Sequence, residues 1–336
     1  MNAAEVPMIL FTVLAQMSVG AFWTLGVLQV VAGLRRHDPT TVDRVTRACL
    51  YAVGPLLVAG FIAASFHLGD PLHALNTFRN LGSSWLSREI AFGVLYGATG
   101  FAYAAAEWFG LGTRAARRSI AAITALAGLG LLVSMIQVYY SVRTIPAWHT
   151  PTTWVLFLGS ALLTGPLAVG ACLLLTWTAQ RLRDTRGATG RWQRLLSALR
   201  ITAPTPMNRS TSSLTAYFIQ LTCTISALAG VALLVTYPLL LAHLGAGEDS
   251  ASAHVLQEMT SSAALPIRLL MVALVVILVR MVAYARAKDA ERPSPALVTV
   301  IATAFLLALG TELLGRGIHY EGLRHVGLTS LQSGLG

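Results

Sequence analysis

The sequence predicts an all-α polytopic membrane protein, and three observations point to it. Of the 336 residues, 55% are apolar and only 11% charged, with a mean hydropathy of +0.66; a soluble domain carries about a quarter charged residues. The apolar residues gather into about eight stretches, each able to supply the roughly 20 helical residues that a hydrocarbon core of about 30 Å requires. The connections between those stretches alternate in charge, the signature of alternating membrane sides. A water-soluble enzyme and a disordered chain are both excluded by this composition. A membrane β-barrel is excluded as well, since no segment alternates apolar and polar residues over about ten positions.

The stretches are 7–34, 45–68, 88–112, 117–141, 151–180, 212–244, 265–286 and 296–315. Each is read as a helix, because only a helix satisfies its own backbone hydrogen bonds in lipid. The first lacks a basic segment before it, and Gln16 and Ser18 interrupt its apolar run, so it reads as a retained span and not as a cleaved signal. The second contains Pro55 and ends in Ser65-Phe66-His67; the third opens on Arg88-Glu89. The fifth contains Gly165-Pro166 and the sixth Tyr237-Pro238, prolines that kink membrane helices without marking function. The eighth closes on Glu312-Leu313-Leu314-Gly315-Arg316, with His319 and Tyr320 in the tail beyond.

Formal charge fixes the expected orientation. The connections after the first, third, fifth and seventh stretches carry about +2, +3, +6 and +1, while the opposite side totals about −2. The positive-inside rule then puts the basic connections in the cytoplasm and both termini outside. The sharpest break, 181–211, holds seven arginines and Ala203-Pro204-Thr205-Pro206. It divides one integral membrane domain into a first group of spans (7–180), a basic cytoplasmic loop (181–211), a second group (212–315), and an outer tail (316–336), with two four-helix halves as one arrangement. Arginine there reads as topogenic charge facing anionic lipid; nucleic acid is not an expected partner, because aromatic residues are not interleaved with the charges. Cys49, Cys172 and Cys223 are scattered, so no metal cluster or disulfide framework is expected.

Ionisable groups at the ends of spans carry the functional signal, because each is costly in lipid unless paired or wetted. His67 closes the second span and Glu89 opens the third, on what the charge pattern makes the outer side. Neighbouring helices usually pack together, so an imidazole and a carboxylate could face one another and take the two protons released by a hydroquinone ring. Arg88 could lower the carboxyl pKa by its charge while burial would raise it, and Trp85 could stack on a ring. The same residues also suit plainer roles: His67 and Trp85 as interfacial anchors, and Glu89 as a first-turn carboxylate facing the helix dipole. Glu312 and Arg316 have the spacing of an intrahelical pair. A bis-histidine haem requires facing imidazoles inside a bundle; the eight histidines lie mostly in loops or at helix ends, and no haem is expected.

Phe66-His67-Leu68-Gly69-Asp70-Pro71 followed by Ser84-Trp85-Leu86-Ser87-Arg88-Glu89-Ile90 resembles the membrane-anchor subunit family of dimethyl sulfoxide reductase, DmsC. Glu5-Val6-Pro7-Met8-Ile9-Leu10-Phe11-Thr12-Val13-Leu14-Ala15-Gln16 resembles that family's start, and Glu312-Leu313-Leu314-Gly315-Arg316 its last span. The basic segment 181–211 is longer and richer in arginine than the family pattern. The resemblance implies a haem-free anchor in the bacterial cytoplasmic membrane that oxidises menaquinol. Electrons would pass to an iron–sulfur subunit and on to a molybdopterin catalytic subunit, which hold those cofactors. His67 and Glu89 match the family's quinol-site positions, with Trp85 and Arg88 beside them. The nearest alternative is an anchor for another quinone-linked reductase, acting on polysulfide, tetrathionate or a further acceptor. A secondary transporter would place its ionisable groups near the bilayer midplane, whereas these sit at span ends; a structural anchor without a quinone site is a third reading.

Overall fold

The structure, a computed structural model, describes residues 5–66, 79–187, 190–203, 205–288, 293–324 and 326. Among these residues the chain is helical and holds no strand. The helices are α1 (Val6–Leu34), α2 (Pro39–Ser65), α3 (Trp85–Phe109), α4 (Arg114–Tyr140), α5 (Pro151–Arg186), α6 (Arg191–Ala198), α7 (Arg209–Gly245), α8 (Ser250–Ser261), α9 (Ala264–Ile277), α10 (Tyr284–Lys288) and α11 (Pro295–Glu321). A π-helical turn, Leu278–Ala283, joins α9 to α10 within one continuous span.

Local chemistry starts each helix where it does. Asp38, Ser84, Thr113, Asn208, Asp249 and Ser294 are side-chain N-caps of α2, α3, α4, α7, α8 and α11, each accepting a backbone N–H three residues on. Pro39, Pro151 and Pro295 occupy first-turn positions, where a missing N–H costs nothing. Gly110 ends α3 at φ +69°, a left-handed conformation that a side chain would strain.

Seven described helices are long and apolar enough to cross a membrane: α1, α2, α4, α5, α7, the α9–α10 span and α11. The remaining stretch read as a span, 88–112, forms the helix α3, whose 25 residues reach about 37 Å at ~1.5 Å per residue but which is not among those seven. Arg88, Glu89 and Glu107 make it less apolar than the others. Pro55, Pro166 and Pro238 lie inside α2, α5 and α7 as expected.

Three boundaries differ from expectation. The stretch read as a loop, 181–211, is largely helical: α5 continues to Arg186, α6 follows, and α7 starts at Arg209. Its polar groups fold it against the bundle, with Arg183 donating to the Ala203 carbonyl (2.6 Å) and Gln180 accepting from Ala203 N–H (2.7 Å). Arg44 reaches the Pro206 carbonyl at 3.2 Å. The connection before α9 contains α8, started by Asp249. Finally, the last span does not stop at 315. α11 runs to Glu321, so Arg316, His319 and Tyr320, expected in an outer tail, form its buried final turns; charge alone suggested an exit from the membrane that partners across the bundle remove.

The core is centred on α5, which packs against α1, α2, α4, α7 and α11, while α3 and α4 pair closely at one side. α1 and α5 cross at backbone contact: a Cβ on Gly20 would lie 2.0 Å from the Ala161 carbonyl oxygen, and one on Gly165 would lie 2.3 Å from the Gly20 carbonyl carbon. Close approach through small residues is the usual way membrane helices associate. Buried hydroxyls satisfy themselves on carbonyls one turn back, as Thr24 does on Gly20 (2.7 Å) and Thr164 on Ser160 (2.7 Å). The free thiols of Cys49 and Cys172 meet between α2 and α5. The end of the bundle where α1 starts and α11 finishes is the proximal face; the end carrying Arg35, Arg44, Arg117 and Arg200 is the basic face.

Candidate functional site

The last turns of α11 place Glu312, Arg316, His319 and Tyr320 four, three and one residues apart, on one helix face. That face turns inward at the proximal end, and all four residues are buried. Burying two or three charges there demands partners, because an unpaired ion in lipid costs several kcal/mol. Other helices supply them. Arg268, on the second turn of α9, donates through Nη2 to Glu312 Oε1 at 3.2 Å and through Nη1 to the Tyr237 hydroxyl of α7. Thr311 holds the backbone of the same turn by donating to the Arg268 carbonyl (3.3 Å). Gly315 faces the Arg268 guanidinium, which fills the space a Cβ would need.

Arg316 has a neutral partner, donating to Gln16 Oε1 of α1 at 2.9 Å, and its guanidinium lies 3.6 Å from the centroid of the Phe157 ring on α5. The His319 ring is enclosed by aromatics: stacked with Trp148 (centroids 5.6 Å, 18°), and edge-on to Tyr139 (4.9 Å) and Phe157 (5.3 Å). The Trp148 indole N–H donates to the His319 carbonyl at 2.8 Å, tying the loop between α4 and α5 to α11. Tyr139 and Tyr320 share a hydrogen bond between their hydroxyls (3.2 Å), and Tyr320 donates onward to Thr12 (3.4 Å). A line of hydroxyls therefore runs from α4 through α11 to the first turns of α1. Gln16 Nε2, Arg268 Nε, Arg316 Nε and His319 Nε2 are buried without a hydrogen-bond partner among the described residues.

Glu89 joins this assembly from α3. It lies on the second turn after the Ser84 cap, is 6% exposed, and stands within electrostatic range of Tyr139 and Tyr320. His67 and the segment that follows it lie outside the described residues; α2 ends at Ser65 with Phe66 as its C-cap. Trp85 and Arg88 are brought together at the start of α3. The Arg88 guanidinium lies 4.1 Å from the Trp85 ring centroid and donates to the carbonyls of Leu81 (2.8 Å) and Gly82 (2.6 Å), closing the turn that leads into α3. Glu312 and Arg316, spaced for an intrahelical pair, instead take Arg268 and Gln16 as their hydrogen-bonding partners.

Sequence reasoning missed Arg268, Tyr139, Trp148 and Tyr237 as members of one site. Two signals were present: a lone arginine in the apolar run 265–279, and Gln16 inside the first span. Neither names its partner without the helix rotations. Among the described residues no group of three or more His, Cys, Asp or Glu is placed to hold a metal ion. The chemistry available is therefore that of a buried proximal cluster: a buried carboxyl, a chain of hydroxyls, a guanidinium hydrogen-bonded to a neutral amide, and an imidazole among rings.

Comparison with known proteins places this arrangement in a context. The family model described as DMSO reductase anchor subunit (DmsC) matches residues 1–323. The anaerobic dimethyl sulfoxide reductase chain YnfH of Escherichia coli is 32% identical over 169 residues, 50% of this chain and 57% of that protein. A second anaerobic dimethyl sulfoxide reductase polypeptide of the same organism is 31% identical over 199 residues, 59% of this chain and 64% of that one. A sulfite dehydrogenase subunit of Allochromatium vinosum is 35% identical over 153 residues, 40% of this chain and 45% of that one. The chain thus spans less than two thirds of the length of each of these relatives.

Proposed function

Because the chain belongs to the DMSO reductase anchor subunit (DmsC) family, we propose that it anchors a molybdopterin oxidoreductase of that type in the bacterial cytoplasmic membrane and oxidises menaquinol at its proximal face. The proximal face is then the outer one, since the opposite end carries the arginines. The observation that carries the reading is the burial of the Glu89 carboxyl in the first turns of α3, within electrostatic range of the hydroxyls of Tyr139 and Tyr320. A carboxyl kept from water and within electrostatic range of a line of hydroxyls suits the taking up of a proton.

In this reading a hydroquinone gives up two protons and two electrons. His67 accepts one hydroxyl proton and Glu89 accepts the second, or holds His67 in the accepting orientation. Tyr139, Tyr320 and Thr12 lead from Glu89 toward the start of α1, where the proton is released. Arg316 and His319 belong to the same buried cluster at the end of α11. The electrons leave to an iron–sulfur subunit docked on the proximal face and from there to the molybdopterin subunit. Release of protons on the same face as the electrons moves little or no net charge across the membrane.

The test is quinol oxidation by membranes carrying the assembled complex. Glu89→Gln and His67→Ala should each lower the rate about 100-fold, the lower end of what acid–base groups contribute, with the partner subunits still bound. Unchanged rates in both would remove the two residues from the reaction. A second reading, an anchor serving a different sulfur-compound oxidoreductase, is favoured by the similarity to the sulfite dehydrogenase subunit. Identification of the subunits that co-purify with the chain separates the two.

A further inference from the structure

On the basic half of the bundle a groove of about 860 Å³ opens between the α1–α2 pair and the α3–α4 pair. That volume lies within the ~300–1,000 Å³ of ordinary ligand sites. Trp23 closes its deep end by donating to the Ala125 carbonyl (3.1 Å), and Phe22 stands edge-on to Tyr103 beside it. From there the groove follows α1 as far as Leu34. Twelve residues of helix rise about 18 Å, close to the ~15 Å half-thickness of a hydrocarbon core. The slot is therefore one leaflet deep.

Its two ends differ in chemistry. The α1 wall is stripped of side chains at Gly26 and Gly33, seven residues apart and so on one face; a Cβ at either would meet nothing within 4 Å. At the mouth stand Arg47, Arg114, Arg117 and Arg118 against Asp43 and Glu107, an excess of two positive charges. Glu107 is already taken by Arg117, at 3.1 Å. Arg47, Arg114 and Arg118 thus face a single remaining acid, Asp43.

We propose that this groove binds one anionic phospholipid, with its phosphodiester at Arg47, Arg114 and Arg118 and one acyl chain laid along Gly26 and Gly33. Guanidinium forks match phosphate oxygens in geometry as well as charge, and the bare helix wall admits a methylene chain. A neutral isoprenoid quinone would fill the apolar length but leave the cations unmatched. The lipid closes the wedge between α1–α2 and α3–α4, and the proposal is independent of any quinol chemistry at the other face.

The full-length chain, purified in neutral detergent, is examined by native mass spectrometry while phosphatidylglycerol is titrated against phosphatidylcholine. One phosphatidylglycerol is expected to stay bound, preferred at least tenfold. Gly26→Phe should abolish the preference by filling the slot, and the double variant Arg114→Gln/Arg118→Gln should abolish it by removing the phosphate contacts. Leu306→Phe, on α11 and 64% exposed outside the groove, should behave as the parent chain. Equal retention of both lipids by the parent chain, or a preference untouched in the arginine variant, overturns the proposal. Recovery of a quinone in place of phospholipid, displaced by Gly26→Phe, overturns it too. If Gly26→Phe does not accumulate, the arginine variant decides alone, since both side chains are on the surface.

Discussion

Arg268 and Glu312 form an ion pair at 3.2 Å with side chains 3% and 1% exposed. Removing one member of such a pair strands the other, at a cost of about 3–5 kcal/mol, whereas replacing both by apolar groups is often neutral. Arg268→Met is therefore expected to lower the unfolding temperature of the detergent-solubilised protein sharply, and Arg268→Met/Glu312→Leu to recover most of the loss. A double variant as unstable as the single one would show that Tyr237 depends on the guanidinium for more than charge balance. Single residues were unevenly legible in the sequence. Glu89 announced itself, because a carboxylate entering a span must find an environment. Glu312 and Arg316 were visible as charges, but their spacing suggested each other as partners; the true ones, Arg268 and Gln16, stand on helices 44 and 300 residues away. No local pattern encodes a pairing across that distance.

Helices can be judged by how they begin and how they cross. Asp38 caps α2 with its carboxylate bonded to the hydroxyls of Thr40 and Thr41 and the Thr41 N–H, which lowers its pKa from 3.8 to about 2. A depressed acid contributes its stability above the unfolded value and loses it as pH falls through the folded one. The α2 cap should thus persist at pH 4 and fade only toward pH 2, followed by the Asp38 carboxyl chemical shift; Asp38→Asn should remove the transition. At the α1–α5 crossing, Gly20→Leu or Gly165→Leu forces backbones apart and should cost more than the ~1–3 kcal/mol of ordinary overpacking. Gly26→Leu, on the open side of α1 where a Cβ meets nothing within 4 Å, should cost far less than either. Spans were readable because a run of some twenty apolar residues decides them. The continuation of α11 to Glu321 and the formation of α6 were not, since both depend on what the rest of the bundle offers to a charged turn.

For the molecule as a whole, α1 begins and α11 ends at one face, with Tyr320 on Thr12, so the connections fall into two sets at opposite ends. Cysteines introduced at Thr205 and Glu248, both exposed, should react with an impermeant maleimide from opposite sides of sealed vesicles, Glu248→Cys from outside. Labelling of both from one side would contradict the orientation drawn from charge. Alternating hydropathy and charge carried this architecture, because the bilayer imposes them on every span alike. The packing around α5 was hidden, since it turns on Gly20, Ala161 and Gly165, small residues that look no different from other small residues in an apolar run.

The wide turn at Leu278–Ala283 amounts to a surplus link in an otherwise regular rod, since a π turn holds more chain per revolution than an α turn. Excising one amino acid there should let the rod close to standard pitch with Arg268 still meeting Glu312, whereas the same excision in α7 would spin Tyr237 and everything after it by a quarter turn or more. Tolerance to shortening should therefore mark this turn apart from every neighbouring segment.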